Sequence, residues 1–145
     1  MSAMSDYLEN KLVDLILRGQ TFTPPATVYV SLHTSATTDA GGGTEVTGGN
    51  YARAAVTSSL ANWAGTQSAG STTASSGTGG ATSNNAAIPF NAPNANWGTI
   101  THFGIWDAST AGNLLLHGAL TTAKTVNNGD AAPSFAIAAL SLTFA

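Results

Sequence analysis

Cysteine is absent from this 145-residue chain, so disulfides and thiolate metal ligands are excluded and the sequence carries no sign of its redox compartment. Charge is scarce: 8% of residues are Asp, Glu, Lys or Arg, against about a quarter in ordinary globular domains. The four basic side chains, Lys11, Arg18, Arg53 and Lys124, are scattered, and the formal net charge is -3. No basic patch can neutralise a run of phosphates, so nucleic acid is not an expected partner. The amino terminus, MSAMSDYLENKLVDLILRG, has acids early and no long apolar run. It reads as neither a signal peptide nor a membrane-spanning helix, which places synthesis in a cytoplasm and leaves no membrane partner.

What replaces charge is Thr, Ser, Asn, Gly and Ala. A solvated monomer coats itself with ions, whereas this polar but uncharged coat suits a protein packed against other subunits. The length fits one domain, residues 1–145, with enough chain to bury a core.

One helix is expected over about 6–18. Asp6 reads as its N-cap, with Glu9 completing a capping box. Leu8, Leu12, Leu15 and Ile16 form an apolar stripe, and Gly19 stands where a left-handed C-cap belongs. Val13 and Leu17 widen that stripe, so the helix is expected to be covered on more than one side or to dock onto a partner.

From about residue 26 to 145 the period becomes that of strands. TVYVSLH alternates, YARAAVTSSL follows a glycine-rich loop, and ITHFGIW and LLLHGAL flank DASTAGN as a hairpin with Gly112 and Asn113 available for positive φ. SFAIAALSLTFA reads as one long final strand with a bulge between Ile137 and Leu140. Residues 65–85 are almost entirely Gly, Ser, Thr, Ala, Gln and Asn, too poor in apolar surface to offset their ordering entropy, and are expected to form a flexible loop. The fold class expected is mainly β: an antiparallel β-sandwich or jelly roll preceded by one N-terminal α-helix.

The chemistry-bearing residues do not assemble into a motif. Closing the hairpin around Thr110 sets Trp106 opposite Leu114 and His102 opposite Gly118, so His102 and His117 fall on opposite faces, and a one-residue slip would bring them together. Two imidazoles without a third ligand do not make a transition-metal site. No nucleophile elbow, HExxH pair, phosphate-binding loop or dinucleotide fingerprint occurs. No catalytic residue, cofactor or metal is therefore expected, and the chain is not read as an enzyme. Trp63, Trp97 and Trp106 are expected to cap a sandwich core. The residues expected at interfaces are Leu12, Ile16, Tyr29, Trp97, His102 and Trp106.

The segments SDYLENKLVDLILRG, PATVYVSLHTS, TDAGGGTEVTGGNYARAAV and WGTITHFGIWDASTAGNLLLHGALTTAKTVNNGD resemble a group of small structural proteins of tailed bacteriophages. The resemblance covers nearly the whole chain apart from residues 65–85, and its motifs are distinctive in order but not chemical. It implies a virion component, its members often labelled tail-fibre proteins while small mainly-β proteins of this kind also serve as capsid cement, with no catalytic residues to carry over. The short chain, without heptads or repeats, favours a capsid decoration protein on the capsid surface that bridges major capsid protein subunits and self-associates as a dimer or trimer through VYVSLH or FAIAALSLTFA. The alternative is a tail-fibre or tail-tip module involved in host recognition.

Overall fold

The structure, a computed structural model, describes residues 2–144. Among these residues it contains one helix and nine strands. They are β1 (Ser2–Met4), α1 (Asp6–Leu17), β2 (Thr27–His33), β3 (Ala54–Thr57), β4 (Ala81–Ser83), β5 (Ile88–Pro89), β6 (Gly98–Trp106), β7 (Leu114–Val126), β8 (Ser134–Phe135) and β9 (Ser141–Thr143). Five of them form a wholly antiparallel sheet in the order β1-β7-β6-β2-β3. The pairs β4-β9 and β5-β8 form two short ladders, which meet the sheet at its two edges, β9 against β1 and β5 against β3. The result is the expected mainly-β sandwich with an N-terminal helix.

The alternation in TVYVSLH explains the core. Val30 pairs with Ile105 and Leu32 with Phe103, while Ile105 pairs with Leu116. Paired residues project from the same face, so these five apolar side chains share one surface and are all buried. Ile88, Phe90, Leu140 and Leu142 from the second layer complete the cluster. Phe135 joins them edge-on, its ring 6.2 Å from Phe90 and 6.4 Å from Phe103.

Several local expectations change. The helix is capped by Ser5, whose Oγ accepts the Leu8 amide at 3.2 Å; Asp6 is the first helical residue, favourably placed for the helix dipole. Ser5 takes the cap because the chain must leave β1 there: its amide bonds to the Leu115 carbonyl and its hydroxyl donates to the Leu114 carbonyl. The long final strand is broken. Ala138 has φ +62°, and the side chain of Asn84, wholly buried, holds the break open. Its Nδ2 donates to the carbonyls of Ala86 and Ala136 at 2.8 Å each, and its Oδ1 accepts the Leu140 amide at 2.9 Å. The parity shift between Ile137 and Leu140 is thus a turn between β8 and β9, not a bulge.

The low-complexity segment also ends sooner than 85, since Ala81–Ser83 pairs with β9 and Asn84 belongs to the core. Residues 65–80 are irregular and stitched by polar contacts such as Gln67 Nε2 to the Ala74 carbonyl at 2.6 Å. In the β6-β7 hairpin the positive-φ positions are Ala111 and Gly112 rather than Gly112 and Asn113. Asn113 instead donates its backbone and side-chain N–H groups to Asp107 at 2.7 and 2.8 Å. Val28–Val30 pair with β3 on the side away from β6, and the edge beyond them is covered by Glu45, Val46 and Tyr51, so VYVSLH offers no free edge for self-pairing.

Candidate functional site

The second face of the five-stranded sheet gathers the chemistry. His102 pairs with His33 on one side and with Ala119 on the other, while Gly104 lies between Ser31 and His117. All three histidines therefore share one face. The expected separation of His102 from His117 fails because Ile105 pairs with Leu116 but Trp106 with Leu114, leaving Leu115 as an extra residue. That bulge is the one-residue slip that turns His117 over.

A hydrogen-bonded line crosses this face. Trp106 Nε1 donates to Ser31 Oγ at 2.7 Å, and Ser31 Oγ lies 2.7 Å from His33 Nε2. Gly104 makes room for it: a Cβ there would stand 2.8 Å from both Ser31 Oγ and Trp106 Nε1. His33 is 1% exposed, and its Nδ1 has no protein partner among the described residues. Burial holds the His33 ring below the ordinary histidine pKa of 6.5, assisted by the positive charge of Arg53 and by the other two histidines, and opposed by Glu45. His117 is fixed from both sides, its Nδ1 2.9 Å from Thr37 Oγ1 and its Nε2 2.9 Å from Asp39 Oδ1.

Arg53 organises the neighbouring corner. Its guanidinium reaches Glu45 through Nε and Nη2 at 2.8 Å each, and donates from Nη1 to the carbonyls of Ala108 and Ala111 at 2.9 and 2.8 Å. It also lies over the Trp106 ring, 4.0 Å from the centroid. Burial resists ionisation of Glu45, but the hydrogen bonds and charge of Arg53 outweigh it and keep the carboxyl below its ordinary 4.5. Tyr51 Oη donates to Glu45 and accepts the Leu32 amide, and burial pushes this phenol well above its usual range. The side chain thereby fills a ladder position where β2 has lost a strand partner. One fork-shaped cation thus ties the edge of β2, the hairpin tip and a tryptophan together.

The expected interface residues are dispersed. Tyr29 pairs with Trp106 beside this corner, and His102 is half-buried next to it, its Nδ1 2.8 Å from Thr101 Oγ1. Trp97 is buried elsewhere and donates from Nε1 to the Gly49 carbonyl at 2.8 Å, a core-capping role. Leu12 packs partly against the core, whereas Ile16 is 72% exposed. With Val13 and Leu17, Ile16 makes an apolar ridge facing outward. Beside the helix runs an apolar groove of about 300 Å³ bordered by Leu8, Phe22, Pro25, Trp63, Leu115 and Phe144. Arg53, Glu45 and His33 carry no sequence signature as a group: Glu45 meets Arg53 and Tyr51 through an irregular loop without a period, and the carbonyls that Arg53 also binds lie 55 and 58 positions on; the signal available was that Arg53 is an isolated cation inside an apolar strand segment.

Ser31 and His33 make the contact of a nucleophile and its base, but the geometry stops there. Ser31 is fully buried, so no acyl group can reach its hydroxyl, and no acid orients His33 Nδ1. Both nitrogens of His117 are committed, and among the described residues no three His, Asp or Glu side chains are placed to share a metal ion. The face is built to hold strands and loops in register.

Comparison with curated proteins returned no match. Comparison with protein families matched residues 3–143 to the family described as Podophage GP4 fiber I protein gp80. The match spans both layers of the sandwich, the helix and the histidine face alike, and the chain belongs to this family of tailed-phage structural proteins.

Proposed function

We propose that this chain is a non-enzymatic component of the fibre apparatus of a tailed phage, docked onto other virion chains. The observation that carries this reading is the match of residues 3–143 to a family described as a podophage fibre protein. The outward ridge of Val13, Ile16 and Leu17 supports it, being 48%, 72% and 77% exposed. A lone helix in water does not keep such a ridge without cost, and a neighbouring fibre subunit, including a second or third copy of this chain, is its natural cover. Catalysis is disfavoured by the buried serine and the missing orienting acid.

Attachment to the capsid surface, bridging major capsid protein subunits, is the second reading. The observation favouring it is shape: one compact sandwich without shaft repeats, suited to many-copy addition to a lattice. Gold-labelled antibody on intact particles separates the two. Label at the tail, with loss of adsorption when the gene is deleted, is the expected result. Label over the head, with normal adsorption and particles that rupture at lower temperature, would overturn the fibre reading in favour of capsid decoration.

A further inference from the structure

The histidine face contains one group that neither reading uses. His33 is buried on β2, with Nε2 engaged by Ser31 and Nδ1 facing no protein partner among the described residues. Beside it, the chain returns along the edge of β2: His33 bridges to Glu45, the Thr34 amide donates to the Thr44 carbonyl at 2.9 Å, and the Val46 amide donates to the Leu32 carbonyl at 3.0 Å. The loop between these contacts carries Thr37 and Asp39, which hold His117 on β7. Residues 34–46 are thus a strap closed over the histidine face, fastened at both ends by hydrogen bonds next to histidines.

We propose that this strap is an acid-released clasp, held shut while the His33 ring is neutral and opened when the ring takes a proton. The neutral ring with its proton on Nε2 donates to Ser31 Oγ and leaves only a lone pair, not a donor, at Nδ1. Imidazolium presents two N–H donors, and the second would have no acceptor in a buried site. The charged groups around it do not rescue the cation. Arg53 from the segment before β3 is positive, His102 on β6 and His117 on β7 also disfavour a charge on His33, and Glu45 is already committed to Arg53 and Tyr51. Asp39, from the strap itself, faces His117 rather than His33. Relief therefore comes by swinging residues 34–46 away from β2 so that water reaches the ring.

The sign follows from linkage. The folded ring holds its proton less tightly than the unfolded one, so closed-state stability is full above pH 6.5 and is lost as pH falls from there toward the depressed folded value. One proton makes the open population rise by up to about tenfold per pH unit in that window. Opening would expose the Ser31–Trp106 contact and draw Glu45 away from Arg53, a change available to a virion protein entering an acidic surrounding.

Hydrogen exchange on the intact protein reads this out. Protection factors of the Val46 and Thr34 amides, corrected for intrinsic exchange, should fall by up to about tenfold per unit below pH 6.5, while the Trp97 amide, bonded to the Val126 carbonyl, stays protected. His33→Gln, which keeps a polar contact to Ser31 but cannot take a proton, should abolish that pH dependence. Unchanged strap protection down to pH 5, or the same pH dependence in His33→Gln, overturns the proposal. Should that variant fail to fold, carbon–proton NMR of the wild-type rings decides instead: strap opening must track the His33 titration, and opening that tracks only His102 or His117 overturns it.

Discussion

At the scale of single residues, one buried cation fastens a whole corner of the domain. Arg53 has four hydrogen bonds and a ring to lie on, and its side chain is 6% exposed. Arg53→Ala would leave Glu45 with Tyr51 as its donor but no counter-charge, would take the donor from two loop carbonyls, and should cost about 3–5 kcal/mol in urea unfolding. Arg53→Lys keeps the charge but not the fork, so it should recover only part of that loss. A lysine variant as stable as wild type would show that charge alone, not bidentate geometry, fastens the corner. Gly104 is constrained for a different reason: any side chain there collides with the Ser31–Trp106 contact. Gly104→Ala should destabilise the fold and alter Trp106 fluorescence, whereas Gly129, with open space around its α-carbon, lacks that collision and meets only the strain of its φ of +81°.

At the scale of elements, the helix and the β8-β9 turn show how burial sorts residues that look alike in sequence. Leu8 and Ile16 stand two turns apart on the same expected stripe, yet one is 7% exposed and the other 72%. Leu8→Ala should cost about 2–5 kcal/mol. Ile16→Ala should fall within about 0.5 kcal/mol in the isolated protein and weaken only its attachment to the particle; a large loss of intrinsic stability would mean that α1 folds back on the domain. Asn84 replaces the hydrogen bonds that a continuous strand would have made. Asn84→Ala should cost about 1–3 kcal/mol, because it strands the buried Leu140 amide and removes a donor from the part-buried carbonyls of Ala86 and Ala136. Asn84→Asp should not rescue it, since a carboxylate would face two carbonyls. Deleting half of residues 65–80, by contrast, should alter thermal stability little, loop closure changing by only about 0.6 kcal/mol per doubling of length.

For the whole molecule, scarcity of charge sets the response to salt and acid. Contacts that rest on an apolar ridge and on Ser, Thr and Asn groups are not screened, so attachment to particles should survive molar salt; release at moderate salt would point to ion pairing instead. Acid acts through two groups in separate windows. His33 removes stability as pH falls below 6.5, and Glu45 removes more as pH falls below 4.5 through its depressed value, the carboxylate form being the one that Arg53 stabilises. Denaturation curves should therefore show two acid limbs, the lower one flattened in Glu45→Gln.

The division between sequence and structure runs along distance in the chain. Strand β2 is legible at its ends and in its alternation, because a half-buried strand must obey a period of two whatever it packs against. The helix, the hairpin of β6 and β7 and the polar stretch after Gly65 are legible for the same reason, each being fixed by residues within a dozen positions. What the sequence could not decide was anything resting on partners further away. Ser5 becomes the cap because Leu114 and Leu115, 109 and 110 positions on, receive its hydrogen bonds. The final strand breaks because Asn84 reaches across to it. Above all, His117 joins His33 and His102 on one face through a single extra residue, Leu115, whose place in the ladder only the pairing of the full sheet determines.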